Sequence, residues 1–114
     1  MTTRLEFKGN LVGRDNGRSP LTITTGEPFE IDAERFGCDL LCSPLMTKLY
    51  LVEGDCAEEA VAAAVLCAQS FLKGIGRPFV DALGQQIELP SPRDFDPTFP
   101  REEPVGLDEV IEDE

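Results

Sequence analysis

The chain has four cysteines and no histidine, and these two facts decide most of what chemistry it can carry. An imidazole is the commonest general base near neutral pH and the commonest metal ligand, so its absence removes both roles at once. A Ser-His-Asp or Cys-His nucleophilic site is excluded within one chain. Cys38, Cys42, Cys56 and Cys67 are separated by three, 13 and ten residues, whereas a structural zinc site normally grips its ion with close pairs. Cys67 falls inside an apolar run and reads as a small core residue. Cys38 and Cys42 lie an even number of positions apart, so an extended strand turns both to one side. A reducing cytosol disfavours a disulfide between them, and free thiols are expected. Paired carboxylates do acid–base work only where an apolar pocket raises one pKa. The acids here sit at turns, at a helix start and near the C-terminus. The expectation is a protein without enzymatic activity, cofactor or metal.

Charge points elsewhere. Ten Lys and Arg face 22 Asp and Glu, a formal net charge of −12. Such a field repels nucleic acid and anionic membrane and speeds association with a basic protein. Residues 1–89 hold 13 acids and eight bases, a net of −5, and residues 90–114 hold nine acids and two bases, a net of −7. Five of the nine prolines, at positions 90, 92, 97, 100 and 104, fall in that second stretch. Proline lacks an amide donor and restricts the residue before it, which rules out regular helix or central strand. The expected organisation is a single α+β domain over 1–89 followed by an extended, acidic, proline-rich tail over 90–114.

Within the tail, Phe95 and Phe99 bracket Asp96-Pro97-Thr98, with Asp94 before them and Glu102 and Glu103 beyond. Two rings on a proline-stiffened segment either anchor a partner or clip the tail back onto the body. Further on, Asp108, Glu109, Glu112 and Asp113 interleave with Leu107, Val110 and Ile111. That spacing makes an amphipathic turn on docking, although a piece so short holds no helix alone. These ten aromatic and acidic residues form the candidate partner-binding set.

The elements that position them follow from period and punctuation. Leu5, Phe7 and Leu11 alternate with polar neighbours, which predicts a strand. Asp15-Asn16-Gly17 predicts a reversal, and Leu21 and Ile23 a return strand that Phe29-Glu30-Ile31 extends along the same edge. Further strands are expected over 39–43 and 48–53, separated by Pro44. From Ala60 to Ala68 every residue is apolar, predicting one long helix buried on most sides. Asp55 with Glu58 resembles a capping box at its start, and Gly74 or Gly76 stops it after Lys73. Phe79-Val80 and Gln86–Leu89 read as short apolar segments, the second an edge strand. A small antiparallel sheet of four to five strands packed on one alanine-rich helix is the simplest arrangement that buries these faces. The first twenty residues contain no apolar stretch of signal-peptide length, and a cytoplasmic location is expected.

Cys42-x-Pro44-Leu45, Gly54-Asp55, the helix over 59–72 and Gly84-Gln85-Gln86-Ile87-Glu88-Leu89-Pro90 together resemble a family of small uncharacterised bacterial proteins, a domain of unknown function. The resemblance implies a short sheet with a single alanine-rich helix and no catalytic residues. In its acidity and size the chain is also similar to immunity proteins, which neutralise a toxin made by the same cell. The function this implies is inhibition of a basic toxin or nuclease by occlusion. A phage-type antagonist that mimics nucleic-acid charge and a small structural protein, self-associating as a homodimer, are the alternatives.

Overall fold

Alternating apolar residues and an Asn-Gly turn build the first hairpin of the computed structural model, which describes residues 2–99. Strand β1 (Thr3–Val12) and β2 (Arg18–Gly26) pair antiparallel, with Leu5 opposite Thr25 and Phe7 opposite Ile23. In the reversal between them Asn16 takes φ 64°, a left-handed angle that asparagine tolerates. Asp15 Oδ1 accepts from the Gly17 amide at 2.9 Å, closing the turn.

Strand β3 (Phe29–Asp32) and β4 (Arg35–Ser43) form a second hairpin, and β5 (Tyr50–Gly54) pairs with β4. Leu40 of β4 pairs with both Thr25 and Tyr50, while Phe36 pairs with both Glu30 and Gly54. A strand has only two sides, so β2 and β3 share one side of β4 and β5 holds the other. β2 and β3 thus run as one line interrupted at Glu27-Pro28, in keeping with the sequence expectation.

β4 starts at Arg35, four residues before the expected Asp39. Gly37 masked the extension, since glycine weakens a strand pattern. A Cβ at Gly37 would stand 2.7 Å from Leu51 Cδ1 and 3.0 Å from Phe29 Cζ, so close packing requires glycine there.

Helix α1 (Ala57–Ile75) follows β5 almost directly. The capping box expected from Asp55 and Glu58 is not formed. Cys56 is the N-cap, without a side-chain cap bond, and Glu59 reaches back to accept from the Asp55 amide. The helix begins one residue later than the box required, which hands the third-residue role to Glu59. Gly76, at φ 73°, ends α1 in the left-handed cap, and its amide donates to the Leu72 carbonyl at 3.2 Å. Strand β6 (Phe79–Val80) returns to pair with β1. Gln86–Leu89 is not a strand: Gln86 makes an isolated bridge to Val80, and Ile87 donates to the Phe79 carbonyl at 2.8 Å. The turn before it and Pro90 after it leave no room for a longer ladder.

The result is an antiparallel sheet of six strands packed on one helix, an α+β fold. Leu21, Ile23, Leu40 and Val61 are fully buried between the layers, joined by Cys38 and Cys42. Each such aliphatic side chain contributes about 1.5–3 kcal/mol on burial. Ala60, Ala64 and Ala68 bring the helix backbone close to the sheet. Among the described residues no helix is long and apolar enough to cross a membrane.

Packing does not end at the composition break. Past Leu89 the chain crosses the helix. Gln69 Nε2 donates to the Pro90 carbonyl, and a 3-10 turn at Pro92–Asp94 packs on α1. Asp96 is 2% exposed and Phe99 9%. Residues 90–99 therefore serve as a strap across α1.

Candidate functional site

The N-terminal end of α1 gathers carboxylates. Gly54 lets the end of β5 abut the helix start, since a Cβ there would lie 2.6 Å from the Ala60 amide nitrogen. The chain then turns through Asp55 and Cys56 into a first turn bearing Glu58 and Glu59, both favoured by the positive end of the helix dipole. Glu53, Asp55 and Glu59 line a cleft of about 230 Å³ together with Arg35, Ala63 and Phe99.

Arg35 ties the sheet side of this cleft. Its Nε donates to Asp32 Oδ2 at 2.9 Å and its Nη1 to Glu53 Oε1 at 3.0 Å. The Asp32 carboxyl is held below the usual carboxylate range, first by the Glu34 amide and then by Arg35, while Asp32 pushes the Arg35 guanidinium up. All three side chains are about half exposed, so their ion pairs fix geometry more than they add stability. Among the described residues Asp55, Glu58 and Glu59 make no ion pair, with Arg35 across the cleft from Asp55 and Glu59 and Arg4 near Glu58. Three bases stand at the far end of the helix. Arg14 and Arg77 line a cleft beside Gly76, and Lys73 sits in the last turn of α1.

Of the candidate residues read from the sequence, four fall within the described residues. Asp94 Oδ2 accepts from the Ser91 amide at 3.0 Å, completing a capping box. Phe95 packs on the core beside Val61 and Ala57. Asp96 Oδ1 accepts from both the amide and the hydroxyl of Thr98, at 3.1 and 2.8 Å. Phe99 closes the acidic cleft. The two rings thus take the clip arrangement, and only Phe99 reaches the cleft. Glu102, Glu103, Asp108, Glu109, Glu112 and Asp113 lie outside the described residues.

Cys38 and Cys42 are free and buried on one face of β4, and burial pushes each thiol up to about 11. Cys67 lines a groove between α1 and β5 and is only half buried, more open than its apolar run implied. Among the described residues no three His, Cys, Asp or Glu side chains are grouped to hold a metal ion.

A second surface escaped the sequence reading. Leu49, Tyr50 and Leu51 are all exposed around β5, and Leu66 of α1 is exposed beside Tyr50. The signal was present, because Leu49 to Val52 is apolar without alternation, which a strand open on one face does not need.

No family model, no curated protein and no solved structure matches this chain.

Proposed function

We propose that this protein is a non-enzymatic binder that captures a basic protein at the acidic end of α1. It belongs in function with inhibitors of the immunity type, which occlude a toxin or nuclease in the cytoplasm. One observation carries the reading: among the described residues, Asp55, Glu58 and Glu59 make no ion pair at the cleft end of α1, although Arg35 and Arg4 line the same end. The chain that continues beyond Phe99 adds Glu102, Glu103 and the acids from Asp108 onward. Carboxylates left unpaired at one end attract a cationic partner and set its orientation before contact. The cleft supplies the shape against which that partner seats.

The test is affinity capture on the full chain from its native host, at about 0.05 M and about 0.5 M salt, where screening lengths differ roughly threefold. A basic protein held at low salt, released at high salt, lost with the combined D55N/E58Q/E59Q variant and inhibited when bound supports the reading. Capture insensitive to salt and to these substitutions, or no basic partner, overturns it.

A further inference from the structure

We infer that the free edge of β5 is a homodimer interface, across which a second copy of the chain adds its own β5 antiparallel. This goes beyond the acidic end and overlaps it at Gly54, Asp55, Ala63 and Phe99.

The edge is open and unprotected. Among the described residues β5 pairs with β4 alone, and its register with β4 runs without a bulge. Natural sheets blunt such edges with proline, bulges or charges, and β5 has neither proline nor bulge, its one charge being Glu53, which is paired with Arg35. The strand exposes apolar side chains on both faces. Tyr50, 54% exposed, lies on the helix side beside Leu66, 43% exposed. Leu51, 44% exposed, lies on the outer side with Phe29 over Gly37. Exposed apolar groups concentrated on one unpaired strand mark a contact surface.

Self-complementarity selects a second copy as the occupant. A two-fold axis normal to the sheet keeps each face continuous, so positions that meet must share parity. With Leu51 on the axis, Leu51 meets its own counterpart and Tyr50 meets Val52. Lys48 then falls opposite Gly54, where no side chain obstructs it, and next to Asp55 of the other copy. Lys48, the cation just before β5 in sequence, is thereby matched to a carboxylate. The helices fit as well. α1 packs mainly on β4 and β5, so its axis stands about half a strand spacing inside the edge. The two-fold operation brings the second helix to about 10 Å, the ordinary distance of packed helices. Ala63, Cys67 and Ser70 line that side of α1, and Leu66 of the helix and Phe99 of the strap stand beside them, so a second helix would pack on these two larger side chains.

The sign of the salt effect separates this interface from the acidic end. Two chains of −12 repel, so screening strengthens the dimer, whereas screening weakens capture of a basic partner.

Analytical ultracentrifugation of the full chain tests it, at about 0.05 M and about 0.5 M salt. The expected result is a species of twice the 12.5 kDa chain mass, more populated at high salt. Leu51→Lys raises the dissociation constant roughly tenfold or more, since two like charges then meet on the axis. Leu83→Lys, at a position 84% exposed and away from β5, leaves the dimer intact. Leu49→Lys serves if Leu51→Lys loses its far-ultraviolet dichroism. Hydrogen exchange reports the edge directly, with β5 amides slowing as the dimer forms. A monomer under all conditions, a dimer indifferent to both the Leu51 and Leu49 substitutions, or β5 amides protected only when a different protein is added overturns the inference.

Discussion

Gln69 of α1 donates its side-chain amide to the Pro90 carbonyl at 2.9 Å, and that bond starts the strap that residues 90–99 lay across the helix. Beyond it the strap buries Asp96 and Phe99 and packs Phe95 on the core. The segment that crosses α1 is thus part of the folded body, although its composition is that of a tail.

Truncation separates the strap from the residues beyond Phe99. A chain ending at Leu89 is expected to lose cooperative unfolding or melt far lower. One ending at Phe99 is expected to keep the melting temperature of the full chain to within a few degrees. Phe99→Ala alone should destabilise by about 3 kcal/mol, or at least about 12 °C in a domain of this size. Thermal melts followed by circular dichroism compare the three; an undiminished transition in the Leu89 truncation contradicts the role given to the strap.

Gly54 is expected to resist substitution. With the Ala60 amide nitrogen 2.6 Å from the Cβ position, Gly54→Ala must push β5 and α1 apart. The expected loss is about 1–3 kcal/mol, read as a lower urea midpoint at unchanged slope. Gly74→Ala, where a Cβ meets nothing within 4 Å, should be neutral to stabilising by up to about 1 kcal/mol.

Thr25 is 1% exposed, and its hydroxyl has no hydrogen-bond partner among the described residues. A buried hydroxyl without a partner is penalised by about 1–3 kcal/mol on the scale of protein mutants. Thr25→Val keeps the branched shape and removes that burden, so equilibrium unfolding should show equal or greater stability. A loss above about 1 kcal/mol in the same measurement would mean that the hydroxyl is used.

The buried thiols give stability a definite alkaline limb. Burial raises Cys38 and Cys42 to about 11, above the ordinary value of 9.0. A group whose folded pKa is raised favours the native state fully below its unfolded pKa. That contribution drains away between the unfolded and folded values. Melting temperature in reductant should therefore hold steady to about pH 8.5 and fall towards pH 11. Cys42→Ala should make the decline shallower while lowering stability at neutral pH through the lost packing. A slope unchanged by that substitution counts against the assignment. In native protein at pH 8, the same two cysteines should label with thiol reagents only after denaturation.

How far the sequence revealed these features depended on the range of the interaction. Asn16-Gly17 placed the first turn, and the alanine run with Gly76 placed α1, because turns and helices are settled by neighbours along the chain. The continuation of β2 into β3 was legible for the same reason. The start of β4 was not, since Gly37 is explained only by Leu51 and Phe29 arriving from other strands. Proline and acid content spoke for an extended tail, yet two aromatic rings and the Asp96–Thr98 turn decide where residues 90–99 pack. Composition averages over a segment, whereas packing is fixed by its few largest side chains. The acids around the α1 start were visible as a helix signal, and their meeting with Arg35 and Phe99 in one cleft required the fold.

The carboxylates at the start of α1 and the guanidiniums beyond its end are held apart by the length of a rigid rod. An approaching charge therefore meets different surroundings at the two ends of the rod, carboxylates around Glu59 at one and Arg14 with Arg77 at the other.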